Sequence, residues 1–384
     1  MSEIRPLERR DLPQVAGLIE LAFRSGSKTP PPGLARYLER LLFDHPWVDP
    51  EIPSLVALDD HGDLAGCLGS HIRRFRYDGQ AIRVAVSGQL VVDPIARRRA
   101  LGALLMRRYL DGPQELTLTD TASVTARRLW EGFGGKTVHL GRIGWVRLFR
   151  PLRFATEYLL KNHDRWRHAT TSALAPFDAV STRLTANRWA IPRPDVVTEP
   201  LGPEGLVAAL PSVLGSVRLR PDYDVPFLEW LFEELAAVRS RGLPTGFVVR
   251  DRRGRTLGWY LYFLRRGGIS QVVQVVANER DMAPVVDHLL EHARLNGAAA
   301  LQGRVEPGLI EILAERGCLL HASGYRVLVH ARDDGIVHAI DSGDAVLSRL
   351  DGDWWTGLHL ESFSSHRTEV LETVPVEFPA SPGP

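Results

Sequence analysis

Residues Gln89–Met106 read QLVVDPIARRRALGALLM and contain the change of pattern that decides the fold. The apolar run ending at Val92 predicts a strand, which Pro94 interrupts. Apolar residues at helical spacing from Leu101 onward predict a helix that packs on a sheet. The sequence therefore predicts an α/β protein in which an arginine-rich turn joins a strand to a helix.

The start of this predicted helix is suited to bind a phosphate group. The first backbone N–H groups of a helix have no partner within the helix, and the helix dipole adds partial positive charge there. Small residues at Ala100, Gly102 and Ala103 let a pyrophosphate approach the backbone closely. Further positive charge comes from three consecutive arginines, Arg97, Arg98 and Arg99.

The elements on both sides of this stretch follow a definite order. Apolar spacing predicts a helix after Asp11, with Gln14 closing a capping box, and a second helix over Leu34–Phe43. A hairpin that turns near Gly62 and a long strand from Ile82 precede the loop. A short strand, a helix and a closing strand follow the loop, over Leu116–Leu118, Ser123–Glu131 and Gly144–Phe149.

The second half of the chain repeats the first. Ser54–Gly66 (SLVALDDHGDLAG) aligns with Gly246–Gly258 (GFVVRDRRGRTLG) at a separation of 192 residues. Two later matches follow at separations of 184 and 180 residues, Leu129–Glu131 with Leu313–Glu315 and Gly144–Phe149 with Gly324–Val329. Because loops tolerate deletions, a separation that shrinks along the chain indicates two copies of one fold.

These patterns predict two tandem domains, each with a mixed, mostly antiparallel sheet flanked by helices. We expect the first over residues 1–150, a helical linker over 151–195, the second over 196–335 and an extension with a disordered tail over 336–384. The linker is rich in arginine and aromatic residues. It either lies on a membrane surface or packs its aromatic side chains between the domains, and we favour packing.

Composition excludes several classes of function. The 384 residues include 47 basic and 46 acidic side chains, so the net charge of +1 gives no field that favours nucleic acid. The cysteines, Cys67 and Cys318, form no CxxC motif, so neither a disulfide framework nor a metal site is expected. The sequence shows neither a signal-peptide pattern nor a membrane-spanning run. We expect a cytoplasmic protein that binds no nucleic acid and is not inserted in a membrane, with its oligomeric state open.

The loop and the later helix resemble the GNAT superfamily of N-acyltransferases. The family pattern Val-x-Pro-x-x-Arg-(Gly/Arg)-x-Gly-x-(Gly/Ala) is similar to Val92–Gly102, with Ala100 in place of the first glycine. The family motif Ala-x-x-Leu-Tyr-Glu-x-x-Gly is similar to Ala126–Gly134 (ARRLWEGFG). The resemblance covers residues 3–149 well and 245–330 weakly. It implies a tandem GNAT fold that uses acetyl-CoA, or another acyl-CoA, as co-substrate.

The resemblance also implies which residues hold the cofactor. Backbone groups of the strand end would hold the pantetheine arm and polarise the thioester, and the loop and helix start would hold the pyrophosphate. These residues are Leu90, Val91, Val92, Arg97, Arg98, Arg99, Ala100, Leu101, Gly102 and Ala103. The later motif adds Ser123, Arg127 and Trp130.

The second copy lacks these features. Asp281–Val286 stands where Arg97–Gly102 stands in the first copy, without glycine and with an acid in place of the first arginine. Pro284 also removes an amide donor. We therefore expect coenzyme A to bind only the first copy, while the second helps to shape the substrate cleft.

Catalytic residues are harder to assign. Family members often carry a glutamate on the strand before the loop, where this chain has Gln89, and a tyrosine acid where it has Trp130. By this resemblance Gln89 is a candidate catalytic residue, although it has no carboxylate. Asp120 is the nearest candidate base, although it could equally cap the helix that begins near Ser123. His71 is a further candidate, although buried histidines are more often structural.

The amine acceptor follows from this weak set of bases. An amine with a pKa near 10.4 is only about 1 part in 2,500 neutral at pH 7, whereas one near 8 is about a tenth neutral. We therefore expect a small molecule with a low-pKa amine, such as an amino sugar. The resemblance places the loop 25–33 where relatives line the acceptor pocket. Residues of the second half that either face this pocket or are ordinary surface and packing residues are Arg218, Asp222, Tyr223, Asp224 and Trp230. The adjacent Trp354 and Trp355 have no assigned role.

Two other functions stay open at this point. The absence of a convincing acid and base also fits a non-catalytic acyl-CoA-binding or scaffold protein. Related tandem folds transfer aminoacyl groups from tRNA without a coenzyme A loop. The intact loop near Gly102 argues against that second alternative.

Overall fold

The computed structural model describes residues 3–24, 26–27, 29–94, 100–159, 191–323 and 326–358. The strands in chain order are β1 (Ile4–Pro6), β2 (Leu55–Leu58), β3 (Leu64–Tyr77), β4 (Gln80–Val92), β5 (Leu116–Ala122), β6 (Lys136–Val138), β7 (Ile143–Leu148), β8 (Val197–Pro200), β9 (Leu219–Pro221), β10 (Leu243–Arg250), β11 (Thr256–Leu264), β12 (Ile269–Ala277), β13 (Ala300–Arg304), β14 (Leu319–Ala322) and β15 (Arg326–Ala331).

The helices in chain order are α1 (Leu12–Ile19), α2 (Pro32–Leu42), α3 (Leu101–Leu110), α4 (Val124–Gly132), α5 (Pro151–Leu159), α6 (Pro203–Leu214), α7 (Val225–Ala237), α8 (Met282–Leu295), α9 (Ile310–Glu315) and α10 (Asp334–Asp341). A π-helical turn, Glu20–Arg24, extends α1, and a 3-10 turn, Trp354–Thr356, lies near the C-terminus. The mixed α/β class is confirmed.

The first compact unit combines the described residues up to 138 with 217–237 and 326–358. Its sheet has the order β1-β2-β3-β4-β5-β15-β6, and β9 pairs with β3. The described neighbours are antiparallel except β4 and β5. A core of Val84, Val86, Leu116 and Leu118 lies on one face, where Ile336 of α10 covers it. Burial of such side chains stabilises each by about 1.5–3 kcal/mol.

The second unit combines the described residues of 139–216 and 238–323. Its sheet has the order β14-β7-β13-β12-β11-β10-β8, in which β12 and β13 are the parallel pair. Val285 and Leu289 of α8 pack on Tyr260, Tyr262 and the other strand residues of its core. Each unit thus has one parallel step in an otherwise antiparallel sheet, as expected for two copies of one fold.

The two copies exchange their last strands. The strand predicted to close the first sheet, Gly144–Phe149, forms β7 and pairs with β13 and β14 of the second sheet. Its Trp145 is buried there and donates from Nε1 to the carbonyl of Arg304 at 3.1 Å. In return, β15 lies between β5 and β6. The units therefore differ from the predicted domains 1–150 and 196–335, because similar strands satisfy the same position in either sheet.

Three smaller expectations change or lie outside the structure. The Asp11 side chain does not cap α1, because it accepts bonds from Arg5 at 2.7 and 2.9 Å and from the Glu8 amide at 2.9 Å. Of the predicted linker 151–195, residues 160–190 lie outside the described residues, as does the predicted disordered tail. Within the described ranges, none of the helices combines the length and apolar character needed to span a bilayer.

Candidate functional site

Strands β4 and β5 separate in the first unit. Their parallel register runs from Val84–Leu116 to Val86–Leu118 and stops there within the two described strands, although β4 continues to Val92. Beyond Val86 the two strands no longer exchange hydrogen bonds. Parallel strands that diverge expose backbone N–H and C=O groups, which an extended ligand can pair with.

A bulge on β4 marks the separation. Cys67 pairs with Val91 and Gly69 with Gly88, so Gln89 and Leu90 together face one residue of β3. Gln89 has a φ of 47°, in the left-handed region, which costs on the order of 1 kcal/mol for a residue with a side chain. A bulge bends its strand and redirects side chains. The bend therefore starts the divergence, and Leu90 and Val92 lie on the diverging part of β4.

The N-terminus of α3 follows β4 and has no side-chain cap. Ala100, at the cap position, has a φ of 56°, a conformation that favours glycine. The amide of Ala103 donates to the Ala100 carbonyl at 2.9 Å, so the amides of Leu101 and Gly102 precede the first bond within the helix. A Cβ on Gly102 would contact only Val92, at 3.4 Å. This geometry suits the approach of a phosphate to the backbone.

The predicted cofactor residues of this stretch divide into three groups. Leu90, Val92, Gly102 and Ala103 are partly exposed. Val91 and Leu101 are buried, so they can offer only backbone groups. The predicted arginines, Arg97, Arg98 and Arg99, lie outside the described residues.

Helix α4 contributes less than predicted. Ser123 caps it by accepting the amide of Ala126 at 3.2 Å, and Arg127 pairs with Glu131 at 3.2 Å. Trp130 is buried, and its Nε1 donates to the Val329 carbonyl at 3.0 Å. The prediction that Trp130 contacts the cofactor is therefore corrected by its burial, because neither its ring nor its Nε1 is accessible to a ligand.

Asp120 has a structural partner that the sequence did not predict. Its carboxylate accepts the amides of Asp353 at 2.9 Å and Trp354 at 3.1 Å, so it caps the 3-10 turn rather than α4. A bulge on β5 places it there, because Asp120 and Thr121 together face Val327 of β15. The two side chains can then point to the same side of the sheet.

Asp353, to which the sequence motifs assigned no role, lies next to Thr121 and Gly88. The hydroxyl of Thr121 donates to its carboxyl oxygens at 3.0 and 3.2 Å. A Cβ on Gly88 would lie 3.2 Å from Asp353 Oδ2, and one on Gly352 would overlap Asp120 at 2.2 Å. The two glycines therefore permit this close packing. Burial, followed by the neighbouring Asp120, raises the pKa of Asp353 well above its ordinary value.

Arg73 on β3 holds the backbone of the same segment. It is buried and donates to the carbonyls of Asp351 at 3.1 Å and Gly352 at 3.4 Å. Burial lowers its pKa to about 10. Arg73 therefore carries a cation into the interior and offsets part of the negative charge of the nearby carboxylates.

His71 and Gln89 form a buried pair beside these groups. His71 Nε2 lies 2.9 Å from Gln89 Oε1. Burial lowers the pKa of His71 to about 4, so its imidazole is neutral near pH 7. Gln89, a predicted catalytic position, therefore contacts His71 and offers no ionisable group of its own.

The other predicted acceptor-facing residues lie in the first unit, not in the second. Arg218 pairs with Asp78, and Asp222 with Arg76, both at the surface. The Tyr223 hydroxyl donates to the buried carboxyl of Asp351. Asp224 caps α7 through the Phe227 amide, and Trp230 contacts Trp355 edge-on. Of the predicted acceptor loop, residues 25 and 28 lie outside the described ranges.

The corresponding helix start in the second unit already holds an acid. β12 keeps a bulge opposite Leu261 and Tyr262, but Asp281 precedes α8. Its carboxylate accepts two bonds from Arg255, at 2.7 and 2.9 Å. A carboxylate of the protein itself thus supplies negative charge at the start of α8. At the corresponding start of α3, the amides of Leu101 and Gly102 precede the first bond within the helix. Across the described ranges, no cluster of three or more histidines, cysteines or acids could hold a metal ion.

Comparisons with solved structures agree with this architecture. No protein-family model and no curated protein matches the sequence. A probable N-acyltransferase of Enterococcus faecalis matches over 86% of this chain and 72% of that chain, with a TM-score of 0.56 and 10% identity. A GCN5-related N-acetyltransferase of Anabaena variabilis matches over 87% and 74%, with a TM-score of 0.55 and 12% identity.

The N-myristoyltransferase of Saccharomyces cerevisiae, solved with bound myristoyl-CoA, matches over 86% of this chain and 79% of that chain, with a TM-score of 0.51 and 9% identity. In each match the covered share of this chain is larger than either unit, so both copies take part. At these identities the similarity concerns the fold. The chain therefore shares its fold with solved N-acyltransferases, among them GCN5-related N-acetyltransferases, the fold that the motifs around Gly102 and Gly134 predicted.

Proposed function

We propose that the protein is an acyl-CoA-dependent N-acyltransferase whose cofactor binds the first unit. The observation that carries this proposal is the combination of a diverging, bulged β4 with the uncapped N-terminus of α3. Within the described residues, the register between β4 and β5 ends at Val86, and the amides of Leu101 and Gly102 precede the first bond within α3. The two features follow one another along the chain. The fold of solved N-acyltransferases supports the same conclusion.

The geometry assigns a task to each feature. Backbone groups of Leu90–Val92 would pair with the pantetheine arm and polarise the thioester carbonyl. The amides of Leu101 and Gly102 would receive the pyrophosphate, with the helix dipole favouring its charge. Gly102 leaves room for this approach. Direct attack by a bound amine then needs positioning and removal of one proton.

The finer features of the reaction are part of the proposal. The acyl group is acetyl or another short acyl group, and the acceptor is a small molecule with a low-pKa amine, such as an amino sugar. Such an amine is partly neutral at pH 7 and needs only a modest base. A simple alkylamine that reacts equally fast would contradict the low-pKa assignment.

Calorimetric titration of acetyl-CoA into wild type and Gly102→Glu tests the cofactor site. The substitution puts bulk and negative charge where the pyrophosphate would lie, so we expect binding to fall at least 100-fold. Gly205→Glu is the matched control, because Gly205 lies in the first turn of α6 and has only Val248 within 4 Å of an added Cβ. We expect it to bind like wild type.

Each outcome of this titration has a separate meaning. Equal binding by wild type and Gly102→Glu would move the cofactor away from α3. Failure of wild type to bind acetyl-CoA and longer acyl-CoAs would contradict the proposed function. Binding without turnover over a broad set of amines would indicate the acyl-CoA-binding module instead.

A further inference from the structure

Two buried carboxyl groups share the region where β4 and β5 diverge. Asp353 is 6% exposed and Asp120 is 4% exposed, and the Asp120 carboxylate accepts the backbone amide of Asp353 at 2.9 Å. Burial and the neighbouring Asp120 raise the pKa of Asp353. The ionised form of Asp353 is therefore a stronger base than an exposed carboxylate.

We propose that Asp353 is a catalytic residue that accepts the proton of the acceptor amine, and that Asp120 is its positioning residue. This inference rests on the proposed function. It assigns the acid–base chemistry to a residue of the C-terminal segment Ser348–Leu358, which the motifs of the first copy do not include.

The position of Asp353 relative to the strands supports this role. Its Oδ2 lies 3.2 Å from the place of a Cβ on Gly88, the residue that precedes the β4 bulge. On the other side it accepts the hydroxyl of Thr121 on β5. The carboxyl therefore lies close to both strands near the point where they diverge, at Gly88, two residues before the Leu90 backbone that would polarise the thioester. A base within hydrogen-bond reach of the reacting amine is the first geometric requirement.

Anchoring alone does not account for an acid at this position. Arg73 already holds the backbone at Asp351 and Gly352, and the Tyr37 hydroxyl holds the carbonyl of Thr356. An asparagine could accept the Thr121 hydroxyl equally well without an ionisable group. Burying a second carboxyl beside Asp120 is unfavourable, and such pairs concentrate at functional sites.

The reaction balances with the pair returning to its starting state. The amine nitrogen forms the N–C bond with the acyl carbon, and its surplus proton passes to the ionised carboxylate of Asp353. The C–S bond breaks, and the leaving thiolate takes one proton from the pair. The products are the amide and the free thiol. No metal, oxidant or reductant takes part in this step.

Several charged or titratable groups surround the pair and set its titration. The buried cation Arg73 interacts with both carboxyl groups and favours their ionised form. The remaining groups come from β3, α3, the stretch before α7 and the segment itself, and they are His71, Tyr109, Tyr223 and Asp351.

The test compares wild type with Asp353→Asn, which keeps the shape and removes the proton acceptor. Thiol release from acetyl-CoA is followed with glucosamine, glycinamide and butylamine, and with water alone as acceptor. We expect Asp353→Asn to bind acetyl-CoA like wild type but to lose at least 100-fold in kcat at pH 7. We also expect the acidic limb of its pH–rate profile to disappear.

Asp351→Asn is the control, because that carboxyl lies on the same segment but faces Ser348 and Tyr223. We expect it to lower thermal stability and to retain the acidic limb of the pH–rate profile, which Asp353→Asn loses. A folded Asp353→Asn with the wild-type rate and profile would overturn this inference alone. A wild type that neither binds acetyl-CoA nor releases thiol would overturn the proposed function, and this inference with it.

Discussion

The backbone amide of Asp353 donates a hydrogen bond of 2.9 Å to the carboxylate of Asp120, 233 residues earlier in the chain. The exchange of strands brings the two together. Because β15 lies next to β5, the chain that follows β15 stays in the first unit and reaches the end of β5. The second half of the chain thus supplies part of the candidate site of the first.

The buried pair gives the protein a specific dependence of stability on pH. The folded-state pKa of Asp353 is raised, so above the ordinary value near 4 the folded state binds a proton that the unfolded state has lost. Its contribution to the free energy of unfolding is therefore full below that pH. It then falls by about 1.4 kcal/mol per pH unit until the raised pKa is reached.

Urea unfolding of wild type and Asp353→Asn at several pH values checks this dependence. We expect the difference in unfolding free energy to change with that slope, with the variant gaining relative to wild type as the pH rises from 4. A difference independent of pH between 4 and 8 would show that Asp353 has an ordinary pKa.

His71 should make the free energy of unfolding depend on pH in the opposite direction, so that stability is lost as the pH falls. Burial lowers the pKa of His71 to about 4, so the folded state keeps it neutral while the unfolded state is protonated below about 6.5. His71 thus contributes stability that is present above pH 6.5 and is lost as the pH falls to about 4, at about 1.4 kcal/mol per unit.

We expect His71→Asn to flatten this acid-side loss, measured as the melting temperature between pH 4 and 7. His61→Asn, at an exposed turn, is the control and should follow wild type. A His71→Asn curve parallel to that of wild type would mean that His71 titrates normally.

Ala100 should be improved by glycine. Its φ of 56° is unfavourable for a residue with a Cβ, and glycine adopts it freely. We expect Ala100→Gly to raise the free energy of unfolding by about 0.5–1 kcal/mol, measured by urea denaturation. The control, Ala103→Gly, lies inside α3 and should lower it by about 1 kcal/mol. If Ala100→Gly and Ala103→Gly lowered the free energy of unfolding by the same amount, the left-handed conformation of Ala100 would be contradicted.

The strand exchange predicts that the first half of the chain does not fold alone. A fragment of residues 1–150 lacks β15, so β5 and β6 lose the strand between them, and it lacks the cover of Ile336. We expect this fragment to show no cooperative transition on heating and to be cleaved rapidly by a protease. A chain ending at residue 358 is the control and should melt cooperatively. A cooperative melt of the fragment would mean that β7 can replace β15.

Much of the local structure follows from the sequence because it depends on neighbouring residues. The apolar runs predicted β4 and α3 almost to their ends, and Ser123 caps α4 at the predicted start. The internal repeat predicted two copies of one fold. In the second copy, Asp281 stands where the first copy has its leading arginine. Its carboxylate lies at the start of α8 and accepts a bond from Arg255.

The site depended on contacts that no local pattern encodes. Trp130 matched a family motif, yet its indole is turned into the core towards Val329. Asp120 was expected either to cap α4 or to act as a base, and it instead holds a turn from the C-terminal segment. Long-range hydrogen bonds of this kind form between residues whose separation in the sequence carries no periodic signal.

By itself, the sequence determined local features such as β4, α3 and α4, the internal repeat and the glycine-containing helix start at Gly102. These features follow from side-chain periodicity and backbone freedom, which act over a few residues. Only the tertiary structure decided which sheet β7 and β15 join and that Asp353 lies beside Asp120. Those outcomes depend on strand pairing and on burial of charge, and both are properties of the assembled fold rather than of any segment.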